Sequence, residues 1–219
     1  FLSDSGSVAV EVAMKMATQY WLNRGQRGRR KFVAFRGGYH GDTFATMAVC
    51  DPDEGMHSLF GGILPEHYVV ELPRDPPAEA RLEAFVERHA GEIAGIMVEP
   101  LVQGAGGMLF HDPSVLRALR ALADQHGLLL IFDEIFTGFG RTGHFFACES
   151  AGVVPDIITL GKALSGGMFY LVRMDPDSPG GRMRVVDVMD SLNRRIAEIY
   201  REGSNGRWFE VLLELEVGK

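Results

Sequence analysis

The sequence predicts an α/β fold, a mostly parallel sheet with helices on both faces. Three observations lead there. Strand-like and helix-like segments alternate along most of the chain. Several strand-like runs, among them IAGIMV and LLLIF, are apolar at every position, as buried parallel strands are. Three polar residues, Glu99, Asp133 and Lys162, each stand at the carboxyl end of such a run, the rim where sheets of this kind bind ligands.

Ser7 to about Asn23 reads as a helix, with Val8, Val12, Met16 and Tyr20 recurring at spacing four and Gly25 as a stop. KFVAF (31–35) is a short strand. GGYHGDTFATMAV is a turn leading into a short helix, and HYVVEL is another strand. Pro77 to about His89 is helical, with Leu82, Phe85 and Val86 on one side. IAGIMV ends at Glu99-Pro100, Pro113 to about Gln125 is a helix, LLLIFDE is a strand, and DIITL closes the series. Beyond Gly167 the composition shifts. MDPDSPGGR (174–182) reads as a linker, 182 to about 201 as an amphipathic helix, and WFEVLLELEV as a half-buried strand. The expected division is therefore a partial large ligand-binding domain over 1–167 and a divergent C-terminal tail of linker, helix and strand over 168–219.

The 219 residues are 46% hydrophobic and 23% charged, which suffices for a real core, and the net charge is −7. NRGQRGRRK (23–31) is the densest basic patch and reads as a solvated helix end and loop. A nucleic-acid role would need a wider basic face, so none is expected. No apolar run approaches the roughly 18 residues of a membrane span, and no signal peptide is visible. Cys50 and Cys148 stand far apart with no C-x-x-C pair, which suits a cytoplasmic protein. The chain opens on Phe1 rather than Met, as though it began inside a longer protein.

The literal G-x-G-x-x-G at Gly138, Gly140 and Gly143 follows its strand too loosely, and HFFACESAG after it is too short for a dinucleotide-binding helix. No G-x-x-x-x-G-K-[ST], H-E-x-x-H or G-x-S-x-G occurs, and the seven histidines are scattered, so no metal is expected. Ser5-Gly6-Ser7 precedes a helix start. Unpaired N–H groups and the positive dipole end there suit a phosphate, although an ordinary N-cap by Ser5 or Ser7 explains the same residues. Asp133 alone reads as a turn residue and Lys162 alone as a solvent-facing lysine. As a pair on neighbouring strand ends they fit pyridoxal phosphate, which needs a lysine for its aldehyde and an acid facing its ring nitrogen. The small neighbours of Lys162 in TLGKALSGG leave room for that cofactor.

At these residues the chain resembles the class III, ornithine-type pyridoxal-phosphate aminotransferases. The signature is LLIFDEIFTGFGRTG, then Pro155-Asp156-Ile157, then Gly161-Lys162 with ALSGG behind it. The resemblance implies the large domain of a fold-type I pyridoxal-phosphate transferase, truncated at both ends. It implies that Lys162 bonds to the cofactor, that Asp133 contacts the ring nitrogen, and that Gly6 and Ser7 hold the phosphate. Tyr39 is implied to stack on the ring and to narrow the substrate slot, Asp42 and Arg141 to line the substrate side, and Glu99 to stand near the cofactor. Without the resemblance, Tyr39 reads as a core tyrosine, Glu99 as a strand-end turn residue, and Asp42 and Arg141 as an ion pair beside the turn.

Within the family, the runs GSVAVEVAMKM and HGDT…MAVCDP point to the members that pass the amino group of S-adenosylmethionine to 8-amino-7-oxononanoate in biotin biosynthesis. A homodimer is implied as well. Two alternatives stand beside this: a catalytically incomplete fragment that keeps the fold, and a class III enzyme using ornithine or a 4-aminobutyrate-like donor. The resemblance covers about Phe1 to Gly167, and family members are about twice the length of this chain. The family's arginine for the substrate carboxylate and its downstream phosphate-binding threonine find no counterpart after Gly167.

Overall fold

The computed structural model describes residues 1–53 and 57–164 and the backbone of a further strand at Tyr170–Met174. The chain divides into two units, Phe1–Met183 and Arg184–Lys219, and all described residues lie in the first. The linker, helix and strand expected over 174–219 lie outside the described residues, apart from Met174 itself.

In chain order the elements are β1 (Leu2–Ser3), α1 (Gly6–Asn23), β2 (Lys31–Phe35), α2 (Phe44–Met47), β3 (Tyr68–Val70), α3 (Pro76–His89), β4 (Ile93–Val98), β5 (Val102–Gln103), β6 (Leu109–Phe110), α4 (Pro113–His126), β7 (Leu129–Asp133), β8 (Ile157–Leu160) and β9 (Tyr170–Met174). Every strand and helix expected before Lys162 is present within a few residues of its predicted bounds. The helix starts follow from their caps. Ser5, Asp75 and Asp112 each accept a backbone N–H of the first turn, and proline opens α3 and α4, where its missing N–H costs nothing. Gly127, in the left-handed conformation at φ +59°, ends α4.

The main sheet has the order β1-β9-β8-β7-β4-β2-β3. From β8 to β3 all neighbours are parallel, whereas β9 returns antiparallel to β8 and β1 antiparallel to β9. The sequence gives DIITL as the last strand of the series; β9 adds one more, and the β5–β6 hairpin is a second addition. The hairpin strands are two residues each, below the window in which a pattern can be read, whereas β9, five residues long, is not among the expected strands.

β4, β7 and β8 are buried at every residue, as their unbroken apolar runs require. One face of the sheet, with Phe32, Ala34, Met97, Leu129, Ile131 and Ile157, packs on α1. Leu130 and Phe132 point the other way by strand alternation, and α4 packs on β7 and β4 from that side with Leu116, Leu119 and Ala123 buried. The buried stripe of α1 differs from the expected row. Ala9, Ala13 and Ala17 are fully buried, while Val8, Met16 and Tyr20 are only partly so. Small residues let the helix axis approach the sheet, and the larger row is left at the margin.

The basic patch is a solvated helix end and loop, as expected, exposed from Asn23 to Gly28 and at Arg30. Arg29 lies 4.3 Å over the Trp21 ring and donates to the carbonyl of Gly127, and Arg24 lies 4.5 Å over Tyr20. No described helix is long and apolar enough to cross a membrane. Cys50 and Cys148 are free and buried.

Candidate active site

β7 ends in Asp133, and the parallel register of β7 with β8 sets it beside Thr159. Thr159 Oγ1 donates to Asp133 Oδ1 at 3.1 Å, and the Ile135 amide donates to the same oxygen at 3.2 Å. The other oxygen, Oδ2, lies 2.8 Å from Nδ1 of His40. Burial works against charge on His40, but the carboxylate bonded to it outweighs burial and raises its pKa. A buried acid is thus anchored at both oxygens, with one opposite charge beside it.

His40 belongs to the turn that follows β2, and the same turn carries Tyr39 and Asp42. Glu99, just past β4, clamps that turn. Its Oε1 accepts from the Tyr39 amide at 2.9 Å, and its Oε2 accepts from the Gly104 amide at 3.0 Å. Burial pushes its carboxyl up to about 7. The Tyr39 hydroxyl donates to Asp42 Oδ1 at 2.8 Å. Burial and then this bond raise the pKa of the phenol. The His57 ring lies alongside Tyr39, 6.0 Å between centroids at 21°, with Nε2 3.5 Å from Asp42 Oδ1.

The start of α1 meets this turn. Ser5 caps the helix by accepting from Val8 N at 3.1 Å, and Ser7 Oγ accepts from the Asp42 amide at 2.9 Å. The amides of Gly6 and Ser7, in the open first turn, have no partner among the described residues. Gly41 sits at φ +133°, and a Cβ there would come within 2.8 Å of Ser7 Cα, so only glycine lets the two segments touch.

Lys162 follows β8 across Gly161. It holds the left-handed conformation at φ +46°, unusual for a residue with a side chain. Its amine lies 5.7 Å from the centroid of the Phe136 ring, and the Arg141 guanidinium lies 4.7 Å from the same centroid. Phe136 is itself wedged against the backbone of Gly104, where a Cβ would come within 2.8 Å of the ring. The turn carrying Phe136 and Arg141 is fastened by buried Glu134, which accepts from Thr137 Oγ1 and the amides of Ala147 and Cys148 at 2.8–3.1 Å. Burial raises this carboxyl also to about 7.

The residues singled out in the sequence therefore fall into linked groups. Ser7 touches Asp42, Asp42 touches Tyr39, Tyr39 touches Glu99, and Glu99 reaches through Gly104 to the ring that carries Lys162 and Arg141. Asp42 and Arg141 are not an ion pair; among the described residues no salt bridge joins them. His40, His57, Phe136 and Thr159 were not singled out. Thr159 could have been found from strand register, three residues before the lysine. His40 is visible only as the neighbour of Tyr39.

Comparison with known proteins follows the same span. The family model Aminotransferase class-III matches residues 1–187. An adenosylmethionine-8-amino-7-oxononanoate aminotransferase of Mycobacterium leprae is 53% identical over 174 residues, covering 78% of this chain and 40% of the relative. The protein of that name from Saccharomyces cerevisiae is 37% identical over 199 residues, covering 76% of this chain and 42% of the relative. The crystal structure of the Methanocaldococcus jannaschii protein of that name superposes with a TM-score of 0.73 at 34% identity, over 78% of this chain and 40% of that one. An amine transaminase from an uncultivated Pseudomonas species, in a PLP-bound form, gives 0.69, also at 34% identity, over 78% of this chain and 42% of that one. The chain spans about two fifths of the length of the relatives it matches.

Proposed function

The chain belongs to the class III aminotransferase family, and from that premise we propose that it forms the pyridoxal-phosphate-binding core of an enzyme moving the amino group of S-adenosylmethionine to 8-amino-7-oxononanoate, giving 7,8-diaminononanoate. The observation that carries this reading is the pair of neighbouring strand ends, Asp133 closing β7 and Lys162 just beyond β8, with Asp133 fixed by Thr159 and His40.

The residues present fit the cofactor. Two first-turn amides of α1 lack partners among the described residues, and Gly41 leaves the approach to them free of a side chain. A buried carboxyl group bonded to His40 and Thr159 suits a protonated ring nitrogen, and an exposed lysine stands just beyond the adjacent strand end. Pyridoxal phosphate, when bound, supplies a conjugated ring that accepts the electron pair left when a substrate carbon loses its proton.

The chain's own residues do the rest. Gly6 and Ser7 hold the phosphate with N–H groups and the positive end of α1. Asp133 keeps the ring nitrogen protonated, and His40 and Thr159 fix its orientation. Tyr39 offers its ring for stacking and Glu99 holds the turn that carries it. Lys162 Nζ would be the group that holds the cofactor's aldehyde, and as a free amine it would move the proton at the amine-bearing carbon of the substrate, as general base and then as general acid. Asp42 and Arg141 line the substrate side. The whole protein acts as a cytoplasmic homodimer, to which this chain contributes its share of the site.

A second reading, a class III enzyme with a different amine donor, draws support from the equal identity to the amine transaminase. A third, a core that binds the cofactor without turnover, draws support from the two-fifths coverage. One experiment separates them. Pyridoxal phosphate is added to the chain, the visible band is followed, borohydride is applied and the label is mapped. Label on Lys162 and bleaching of the band by S-adenosylmethionine, but not by ornithine or 4-aminobutyrate, is the expected result. Label elsewhere, or none, defeats the cofactor assignment; bleaching by the other donors alone moves the chain to the second reading, and label without bleaching moves it to the third.

A further inference from the structure

His57 breaks the burial pattern of its own segment. It is 6% exposed, whereas Ser58, Leu59 and Phe60, the single turn that follows it, face solvent, Leu59 at 91%. An exposed leucine is ordinary; a polar ring turned inward beside it is the informative observation. The backbone is set by that turn, in which the Phe60 amide donates to the His57 carbonyl at 2.9 Å. From there the histidine side chain reaches the turn that follows β2.

Two contacts meet it. Its ring lies along that of Tyr39, 6.0 Å between centroids and 21° from parallel, an offset stack. Its Nε2 stands 3.5 Å from Asp42 Oδ1, and Asp42 is the one acid within ion-pair reach of it among the described residues. Nε2 is sealed from water and makes no hydrogen bond among the described residues. At 3.5 Å the pair is an ionic contact, longer than the roughly 2.7–3.2 Å of a close N–H···O bond. A carboxylate only accepts, so a proton of the ring belongs on Nε2. The Tyr39 hydroxyl donates to the same Oδ1 at 2.8 Å, while Oδ2 of Asp42 has no hydrogen bond among the described residues. One oxygen thus joins two rings that also stack on each other. The Asp42 side chain is itself 66% exposed. Holding an exposed side chain in one rotamer works against its entropy, so a second donor matters.

We propose that His57 is a positioning residue. Its Nε2–H and its ring hold Asp42 and Tyr39 in one arrangement, with the Tyr39 ring placed for stacking and Oδ2 of Asp42 turned to the substrate side. His57 acts through these two residues. The proposal rests on the reading of Tyr39 and Asp42 as walls of the cofactor and substrate pocket, and adds a residue which that reading does not use.

The test uses the full chain. Without cofactor, ¹⁵N-histidine spectra read the His57 ring, assigned by its loss in His57→Gln. The expected result is a proton on Nε2 and a shift of both ring nitrogens in Asp42→Asn, a change on an exposed side chain, with His126 unmoved as the reference. Binding of pyridoxal phosphate is then followed by fluorescence. His57→Phe keeps a ring against Tyr39 but loses the donor, and weakens binding roughly tenfold. His57→Gln restores an N–H near the place of Nε2 and recovers most of that loss. In an Asp42→Ala background, His57→Phe weakens binding by no more than about twofold, because the group it acts through is gone. His57 nitrogens indifferent to Asp42→Asn overturn the proposal. So does His57→Phe binding like the parent, a glutamine variant no better than the phenylalanine one, or losses at the two positions that multiply, as a merely structural histidine would give. A parent chain that takes up no pyridoxal phosphate defeats the cofactor reading instead, and the nitrogen spectra alone then uphold or overturn the link from His57 to Asp42.

Discussion

Nδ1 of His40 and Oδ2 of Asp133 lie 2.8 Å apart, and both side chains are all but sealed from solvent. One comes from the turn after β2 and the other from the end of β7, two strands away in the sheet. Each charge is tolerable in the interior only because of the other, and removing either strands its partner.

Asp133→Asn separates charge from shape. The amide still accepts from Thr159 and Ile135 while the carboxylate is lost. The expected outcome is a folded chain, judged by far-ultraviolet circular dichroism, that still takes label on Lys162 but transfers the amino group roughly 100- to 1,000-fold more slowly. Asp133→Ala abolishes transfer as well, but leaves His40 and Thr159 without their partner and so costs more stability. Parental rates in either variant would mean that the ring-nitrogen role belongs elsewhere.

Gly41→Ala tests the contact between the turn and α1. The new Cβ collides with Ser7 from a backbone at φ +133°, so either Ser7 or the turn must shift. Affinity for pyridoxal phosphate, followed by fluorescence, should fall at least about tenfold, while affinity for phosphate-free pyridoxal should fall less. Equal losses for the two ligands would place the damage away from the phosphate.

Stability should decline as pH rises from about 5 to above 7. Glu99 and Glu134 both have carboxyls raised to about 7 by burial, and His40 is raised by Asp133. In each case the folded chain holds a proton that the unfolded chain has released. Unfolding then sheds protons, and stability is lost as pH climbs through the folded pKa. Urea denaturation should give an unfolding free energy lower at pH 8 than at pH 5, by about 1 kcal/mol or more for each carboxyl. A midpoint that rises over this interval would contradict the shifts.

Glu134→Ala should loosen the turn between β7 and Cys148. It removes the acceptor of Thr137 and of the buried amides of Ala147 and Cys148. A loss of about 3 kcal/mol is expected, with faster proteolysis within 138–146. Cleavage at the parental rate would show that the aromatic packing of Phe139, Phe145 and Phe146 holds the turn without the carboxylate.

Much of this was legible in the sequence, for definite reasons. β4, β7 and β8 announce themselves because buried parallel strands have no polar face to interrupt them, and α3 and α4 because aspartate and proline mark their starts. The resemblance to class III aminotransferases is borne out by the family match over 1–187. What stayed hidden depends on register and on through-space packing. Thr159 reaches Asp133 only because β8 pairs with β7 in that register, and Phe136 gathers Lys162 and Arg141 across a turn. Asp156 of the Pro-Asp-Ile signature looks chemical in sequence, yet it accepts from the Leu130 amide and from Arg120 and so splices β7 to β8.

The pairing of β1 with β9 has a consequence for how the protein is made. Leu2 and Ser3 bond to Leu171 and Tyr170, so the segment leading into α1 is tied to the backbone emerging after Lys162. Nearly the whole described chain must leave the ribosome before that seam can close. The segment entering α1 and the strand that follows the lysine can therefore pair only late in synthesis, and a nascent chain stalled short of Tyr170 would lack that seam.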